Sequence, residues 1–437
     1  MDTELEKHIS TGAARWWLGN LHMHTFWSDG LAFPEEAVAW YKGHGYHFLG
    51  LSDHNVFQDK RDRWLAETGK ERYFAEYLAA FPDAETRIRE DGVREARLST
   101  FDELAERFNE PGRFLMVPDF EATRTVGYSS GRTHQVHMNA VNVPQLLPSI
   151  ASPDFVRLQR DVRLSDFISS HEAETAELAK SLGRRPVFML NHPQWQWYDI
   201  PPEVMAETPA VRFFEVCNNG TEIAPCPELP QDGFDTDRFW DVANAFRTRR
   251  GLPLLYGLGG DDTHVYRGEL HGGMLMPFNA WTLVRSKSLD AASLVDAMHD
   301  GDFVACEGLE PEDVAFDRDA GRLTVTVAAK PGAVRTIRFI VSKADFSETP
   351  ERTIVVRPEA DANRSVNERT IRIYGDKIGV EAKTVVGAPG EPLKASYTLA
   401  SDDLYVRARI EEPGNPLCSA NLHPKGRLVC WTQPYRT

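Results

Sequence analysis

Cysteine is scarce in this chain: Cys217, Cys226, Cys306, Cys418 and Cys430 are the only five among 437 residues, and no two form a C-x-x-C pair. That excludes a disulfide framework and a thiolate zinc site. A Cys418–Cys430 bridge between two late strands is one option, and free buried thiols are the other. Long apolar runs are also missing; none approaches the ~20 residues of a membrane-spanning helix. Positive charge is in deficit, with 49 Lys and Arg against 65 Asp and Glu, a net charge of −16. A nucleic acid needs a basic footprint and a membrane needs an apolar one, so neither is expected as a partner. A small phosphorylated ligand stays compatible, because a bound metal neutralises its charge locally. Residues 1–7 are charged and hold no apolar leader core. The expectation is therefore a cytoplasmic protein, with a leader already removed as the alternative. No internal repeat or low-complexity tract interrupts the chain.

What is present is ordinary for a globular protein, 42% hydrophobic and 26% charged residues, enough for a real core. The length predicts two domains, or one large barrel with an appendage. Seven short apolar runs, at 16–21, 47–51, 114–117, 136–143, 186–190, 211–216 and 252–258, read as buried strands. Helical periods fall between them. Pro34 opens a helix closed by Gly43 and Gly45, and further helices are expected at 59–80 and 100–109 in an Arg- and Glu-rich insertion, 58–113. Others are expected at 164–183, 236–249 and 288–300. This alternation predicts parallel strands closing into a barrel, whose C-terminal mouth carries the chemistry. After residue 312 the pattern changes. Short runs at 323–329, 335–341, 352–356, 370–374, 395–399, 404–410 and 428–432 are split by turn residues without helices, which predicts a β-sandwich over 313–437 behind a barrel over 1–312.

The ends of the barrel runs are polar in a particular way. His22 and His24 follow the first run two residues apart, so in extended chain their imidazoles share a face. Asp29 follows in a turn marked by Ser28 and Gly30. The next runs end in Asp53-His54-Asn55, in Asp119-Phe-Glu121, in His134-Gln-Val-His137, in Asn191-His192, in Asn218-Asn219 and in Asp261-Asp262-Thr-His264. In a parallel barrel these ends meet at one rim. Acids and imidazoles gathered there without a cation would be buried at a cost, so the ensemble reads as a metal site. Asp262 is favoured over Asp261 because it shares a face with His264. His137 is favoured over His134, which stands as the competing ligand or a substrate contact. Asp53 reads as an orienting residue.

The pieces Leu21-His-Met-His-Thr25, Ser28-Asp-Gly30, Ser52-Asp-His-Asn55, Glu121, His137-Met-Asn-Ala140, Asn191-His-Pro193 and Asp262-Thr-His264 resemble the PHP (polymerase and histidinol phosphatase) superfamily of metal-dependent phosphoesterases, over about residues 18–310. The resemblance implies an α/β fold, a distorted (β/α)7 barrel, and nine metal ligands: His22, His24, Asp29, His54, Glu121, His137, His192, Asp262 and His264. It implies two or three divalent metal ions with Glu121 bridging. In that arrangement His22, His24, Glu121 and Asp262 hold one ion, Glu121, His137 and His192 a second, and Asp29, His54 and His264 a third. Imidazole and carboxylate donors suit Zn, Mn or Fe.

A hydroxide held between two such ions attacks phosphorus, or an ester or carbamate carbon, at neutral pH. Arg124 and Arg132, between Glu121 and His137, are candidates to fork onto phosphate oxygens, with solvated loop arginines as the alternative. Trp195 and Trp197 would wall an apolar substrate or serve as packing. Tyr266 is a pocket candidate, and His271 is a candidate proton donor to the leaving group. Segments 404–409 and 431–434 resemble the barrel-plus-sandwich PHP branch that includes carbamate-hydrolase-like members. The leading expectation is a phosphoesterase of a small molecule. The alternatives are a carboxylic ester or carbamate hydrolase with the same cluster, and a non-catalytic binding protein.

Overall fold

The fold was obtained as a computed structural model that describes residues 14–193, 200–218, 236–266, 276–356, 369–414 and 427–437. It is a mixed α/β structure with two large sheets and a β-rich C-terminal part. The first half holds β1 (Arg15–Asn20), β2 (Phe48–Gly50), β3 (Trp64–Ala66), β4 (Thr86–Ile88), β5 (Arg94–Arg97), β6 (Leu115–Val117), β7 (Glu121–Gly127), β8 (Thr133–Val141) and β9 (Leu158–Arg160). Then come β10 (Val187–Leu190), β11 (Phe213–Asn218), β12 (Tyr256–Gly260), β13 (Trp281–Ser286) and β14 (Phe303–Glu307). The helices are α1 (Pro34–Gly43), α2 (Glu71–Ala80), α3 (Phe101–Phe108), α4 (Pro148–Ala151), α5 (Leu164–Ser181), α6 (Pro202–Met205), α7 (Thr236–Arg249) and α8 (Ala291–Asp300). The C-terminal part holds β15 (Asp313–Asp317), β16 (Arg322–Val327), β17 (Thr336–Lys343), β18 (Arg352–Val356), β19 (Arg369–Ile373), β20 (Val380–Val386), β21 (Leu393–Thr398), β22 (Asp403–Pro413) and β23 (Arg427–Thr432).

All seven expected runs form strands, but they do not pair as one closed parallel ring among the described residues. One sheet runs β20-β17-β22-β23-β14-β13-β1-β2-β6 and the other β12-β11-β10-β8-β7-β9. Among the seven expected runs, as described, the parallel neighbours are β1, β2 and β6, and separately β10, β11 and β12; β7 also pairs in parallel with β9. The fourth run, in β8, is antiparallel to β10 because β8 returns from a hairpin with β7. The hairpin turns at 128–132, where Tyr128 N–H donates to Arg132 O at 2.8 Å and Gly131 has φ +87°. Five residues cannot make a parallel crossover, which needs a dozen or more. The two sheets touch through single parallel bridges, Met23 to Thr263 and His54 to Glu121. Both bridges lie at the expected ligand positions.

The insertion is not wholly helical. Helix covers Glu71–Ala80 and Phe101–Phe108, while β3, β5 and β4 form a small antiparallel sheet. Its Arg and Glu alternate with period two: Arg87 faces Glu95 across the strands at 2.6 Å and stacks over Trp64 at 4.1 Å. Asp91-Gly92 makes the turn, with Gly92 at φ +81°. In the C-terminal part, β15 and β20 join the seven expected strands. A single hydrophobic cluster includes Met23, Phe214, Trp240, Phe339 and Trp431, so the core is continuous across residue 312.

That continuity rests on a polar clasp. Arg407, fully buried, donates to Asp241 at 2.6 and 2.9 Å and pairs with Asp237 at 2.7 Å. Both acids lie one turn apart on α7, so they present one face to β22. Arg409 and the Trp431 indole also reach Asp237, at 2.9 and 3.1 Å, and the Tyr405 hydroxyl reaches Asp241 at 2.8 Å. Gln433 acts as a substitute strand, accepting from Gly257 N–H at 2.9 Å and donating to Gly257 O at 2.8 Å. Burial alone would raise the Asp237 pKa, but Arg407 and Arg409 hold it below the usual carboxylate range. A lowered folded-state pKa means that the clasp contributes its full stability above about pH 4 and loses it only as acid titrates the folded carboxylate. Arg407→Ala leaves the buried Asp241 without its cation and Asp237 with Arg409 alone, and is expected to cost about 3–5 kcal/mol in chemical denaturation at pH 7. A midpoint within experimental error of the wild type would show that the clasp contributes nothing.

Candidate metal centre

The centre is assembled where the C-terminal ends of the parallel strands β1, β2, β10 and β12 meet the start of β7 and the middle of the antiparallel β8. Leaving β1, the chain places Met23 in the core and turns His22 and His24 to the opposite side, both fully buried, with ring centroids 5.4 Å apart. The turn that follows is held from below by Asp53. Its carboxylate accepts from Thr25 N–H at 2.7 Å, Thr25 hydroxyl at 2.9 Å, Ser28 hydroxyl at 2.8 Å and the Gln58 amide at 2.9 Å. Asp53 is thus the orienting residue that its place in the sequence suggested. Gly30 is required there, because a Cβ would sit 2.3 Å from the His24 carbonyl. The result aims the half-exposed Asp29 at three imidazoles: His264 at 3.5 Å, His54 at 3.6 Å and His24 at 3.9 Å.

Glu121 is the hub. It is fully buried, and five imidazoles surround it: His54 at 2.5 Å, His137 at 3.0 Å, His22 at 3.5 Å, His24 at 3.6 Å and His192 at 4.0 Å. The Asn191 amide donates to it at 2.8 Å. Asp262 lies 3.0 Å from His24 and 3.2 Å from His22. Asn55, at φ +53°, exchanges hydrogen bonds with the Thr123 backbone at 3.0 and 3.2 Å, which seats His54 beside Glu121. His264 Nδ1 faces the Asp262 carbonyl at 2.8 Å, which leaves Nε2 toward Asp29. Asp261 turns away, as the alternation predicts. Its buried carboxylate accepts from Phe278, Asn279 and Ala280 N–H and from the Tyr41 hydroxyl, and burial pushes its pKa up to about 6.

All nine expected ligands converge. Donor atoms lie within 4.8 Å of one another in four groups: His24, Asp29, His54 and His264; His22, His24 and Glu121; His22, His192 and Asp262; and His54, Glu121 and His137. This grouping differs from the one implied by the motifs, since His24 also joins Asp29, His54 and His264, and His192 sits with His22 and Asp262. Burial and the neighbouring imidazoles push His24 down to about 4 and His192 to about 3, so both are neutral at pH 7, the state that ligates metal. Burial opposes a charge on His54, but Glu121 and Asp29 outweigh it and push its pKa up to about 9. Glu121 and Asp262 are held well below the carboxylate range despite burial, Glu121 chiefly by His54 and His137 and Asp262 chiefly by His22 and His24. The negative charge at the hub therefore demands protons or cations around it.

The residues fit a bound cation. His24 Nδ1 and Glu121 Oε2 are buried atoms without a well-formed hydrogen bond, and the donors are mixed nitrogen and oxygen without thiolate.

Four other expected site residues do not join the cluster. Arg124 lies on the opposite face of β7 from Glu121, with its guanidinium over Phe155 at 4.8 Å and Phe167 at 5.7 Å. His134 is three residues from His137 on β8, so it faces the core and packs edge-on against Tyr128. Arg132 sits at the hairpin turn, seven strand positions beyond the Glu121 level, or about 23 Å. The buried Tyr266 donates its hydroxyl to the His24 carbonyl at 2.9 Å, a structural contact. Trp195, Trp197 and His271 lie outside the described residues. Sequence reasoning missed Glu215 on β11, which faces His22 Nδ1 at 2.7 Å. The signal was an acid inside a buried apolar strand.

Elemental analysis of the purified protein is expected to find two or three equivalents of zinc, manganese or iron, and fewer in His22→Ala. Failure to bind any of these after reconstitution would mean that the cluster is purely structural.

No protein-family model and no curated protein matches the chain. Among solved structures it is similar to a two-domain protein from Bacteroides vulgatus containing a predicted PHP-like metal-dependent phosphoesterase, at 15% identity over 97% of this chain and 96% of that one, TM-score 0.38. It is similar also to a putative metal-dependent phosphoesterase from Bifidobacterium adolescentis, at 13% identity over 59% of this chain and 92% of that one, TM-score 0.28. A third is an amidohydrolase from Chromobacterium violaceum with bound sulfate and no metal, at 15% identity over 59% of this chain and 93% of that one, TM-score 0.27.

Proposed function

We propose that this chain is a metal-dependent hydrolase, a phosphoesterase acting on a small phosphorylated molecule. The observation that carries the reading is Glu121, buried among five imidazoles, with one of its oxygens lacking a well-formed hydrogen bond. His22, His24, Asp29, His54, Glu121, His137, His192, Asp262 and His264 would hold two or three divalent ions. When bound, such ions activate water at neutral pH and neutralise the oxygens of the attacked group. The chain's own part is to orient the imidazoles and to keep two of them, His24 and His192, neutral. Burial keeps His24 and His192 unprotonated, Asp53 fixes the turn that carries Asp29, and Asn55 seats His54. Tyr266 and Asp261 stiffen the rim from behind.

We read the two large sheets, joined by the bridges Met23–Thr263 and His54–Glu121, as a distorted (β/α)7 barrel over 1–312, with a sandwich over 313–437. No described helix is long and apolar enough to cross a membrane. The proposed setting is cytoplasmic and the proposed partner a small molecule.

A second reading, hydrolysis of a carbon ester or carbamate, is favoured by one observation. Arg124 and Arg132 are turned away from the centre, so neither supplies a phosphate clamp there. A panel on the metal-loaded protein separates the two. Turnover of nitrophenyl phosphate, with nitrophenyl acetate and an aryl carbamate untouched, is expected, and Glu121→Gln should lower it about 100-fold or more. Turnover of the carbon esters alone would transfer the assignment to the second reading. Inertness toward all three with metal bound would leave a binding protein.

A further inference from the structure

We propose that Glu215 is a positioning residue of the metal centre, one carboxylate that sets the geometry of two ligands, His22 and His192, at the same time. The inference rests on the reading of the cluster as a metal site and adds a residue that the motifs do not contain. Glu215 is fully buried in the middle of β11, among Phe213, Phe214, Val216 and Cys217, where an acid has no access to water. Its two oxygens are both engaged by nitrogen. Oε1 faces His22 Nδ1 at 2.7 Å, while Oε2 accepts from the backbone N–H of His192 at 3.0 Å and from the Asn218 amide at 2.9 Å. It belongs to none of the groups whose donor atoms could share an ion.

For His22 the consequence is a choice of tautomer. A carboxylate at Nδ1 keeps the ring proton there and leaves the Nε2 lone pair directed at Glu121 and Asp262, 3.5 and 3.2 Å away. The negative charge behind the ring also makes Nε2 a stronger donor. For His192 the consequence is backbone shape. Its φ of +27° lies in the left-handed region that a β-carbon disfavours, and the bond from its N–H to Glu215 holds that turn. The strand beside Glu215 makes room for this arrangement. A Cβ on Gly260 would stand 2.5 Å from Glu215 Oε1 and 2.9 Å from His22 Cβ, so β12 carries glycine where the carboxylate and the ligand meet.

The test uses the full chain and zinc. Glu215→Gln keeps the size of the side chain but offers an amide NH2 where N–H donors already point. Either His22 must flip its tautomer, placing a proton on Nε2, or the His192 N–H loses its partner. The variant is expected to fold with native circular dichroism and to bind zinc about 10–100-fold more weakly in chelator competition. Glu215→Asp, which keeps the charge, should recover part of the loss. Wild-type zinc affinity in Glu215→Gln would overturn the proposal, as would equal losses in Gln and Asp that track global stability. Should Glu215→Gln fail to fold, the tautomer is read directly in the zinc-loaded wild type by nitrogen-15 NMR, with the His22 signal assigned from its absence in His22→Gln. A ring proton on Nδ1 supports the proposal, and one on Nε2 overturns it. A wild type that takes up no metal defeats the whole reading of the cluster. A loaded wild type with an equally loaded Glu215→Gln defeats only the role of Glu215.

Discussion

Glu121 sets the central constraint. A carboxylate without solvent holds its charge only if donors or cations enclose it, and desolvation alone would drive it to the neutral form. The chain answers with imidazoles from five places, residues 22, 24, 54, 137 and 192, and with the Asn191 amide. Each comes from the end of a strand or from the β7–β8 hairpin, so the strand ends must converge for this charge to be buried at all. The two large sheets meet at just this level, through the bridges Met23–Thr263 and His54–Glu121.

Convergence is obtained at the cost of backbone strain. Asn55, His192 and Asp262 all have positive φ, of +53°, +27° and +51°, and all are candidate ligands or neighbours of candidate ligands. Such conformations persist where surrounding hydrogen bonds over-determine them. Asn55 is fixed by Thr123, His192 by Glu215, and Asp262 by its N–H bond to His22 O at 2.8 Å. Buried acids recur in this supporting role. Asp53, Asp261 and Glu215 each accept several N–H or O–H donors and stand behind the segments that carry the candidate ligands. The acid-rich composition is therefore partly an internal scaffold.

The C-terminal part is tied to the centre through α7. This helix leads into β12, which ends beside Asp262 and His264, and it is bound to β22 by Arg407, Asp237 and Asp241. Gln433 pairs with Gly257 on β12 itself. The residues of 404–409 and 431–434 that stood out in the sequence are the ones that make these contacts. Their charge and aromatic content serve attachment to the half that carries the candidate metal centre.

The nine candidate ligands were legible as a motif resemblance. The chain's residues alone marked the seven apolar runs as strands, paired His22 with His24 and Asp262 with His264, and separated Asp262 from Asp261. These follow from local rules: a period of two places His22 with His24 and Asp262 with His264, and short apolar runs mark buried strands. Pairing partners were not legible, because hydrogen bonds between strands join residues distant in sequence. The antiparallel return of β8 needed the turn at Tyr128–Arg132, and the small sheet in the insertion needed Arg87 to find Glu95 rather than a helical neighbour. Only the tertiary structure decided which way Arg124 and His134 point, since a residue's face is set by the register of its strand. Only it could reveal Glu215 against His22, two groups 193 positions apart that burial brought to 2.7 Å.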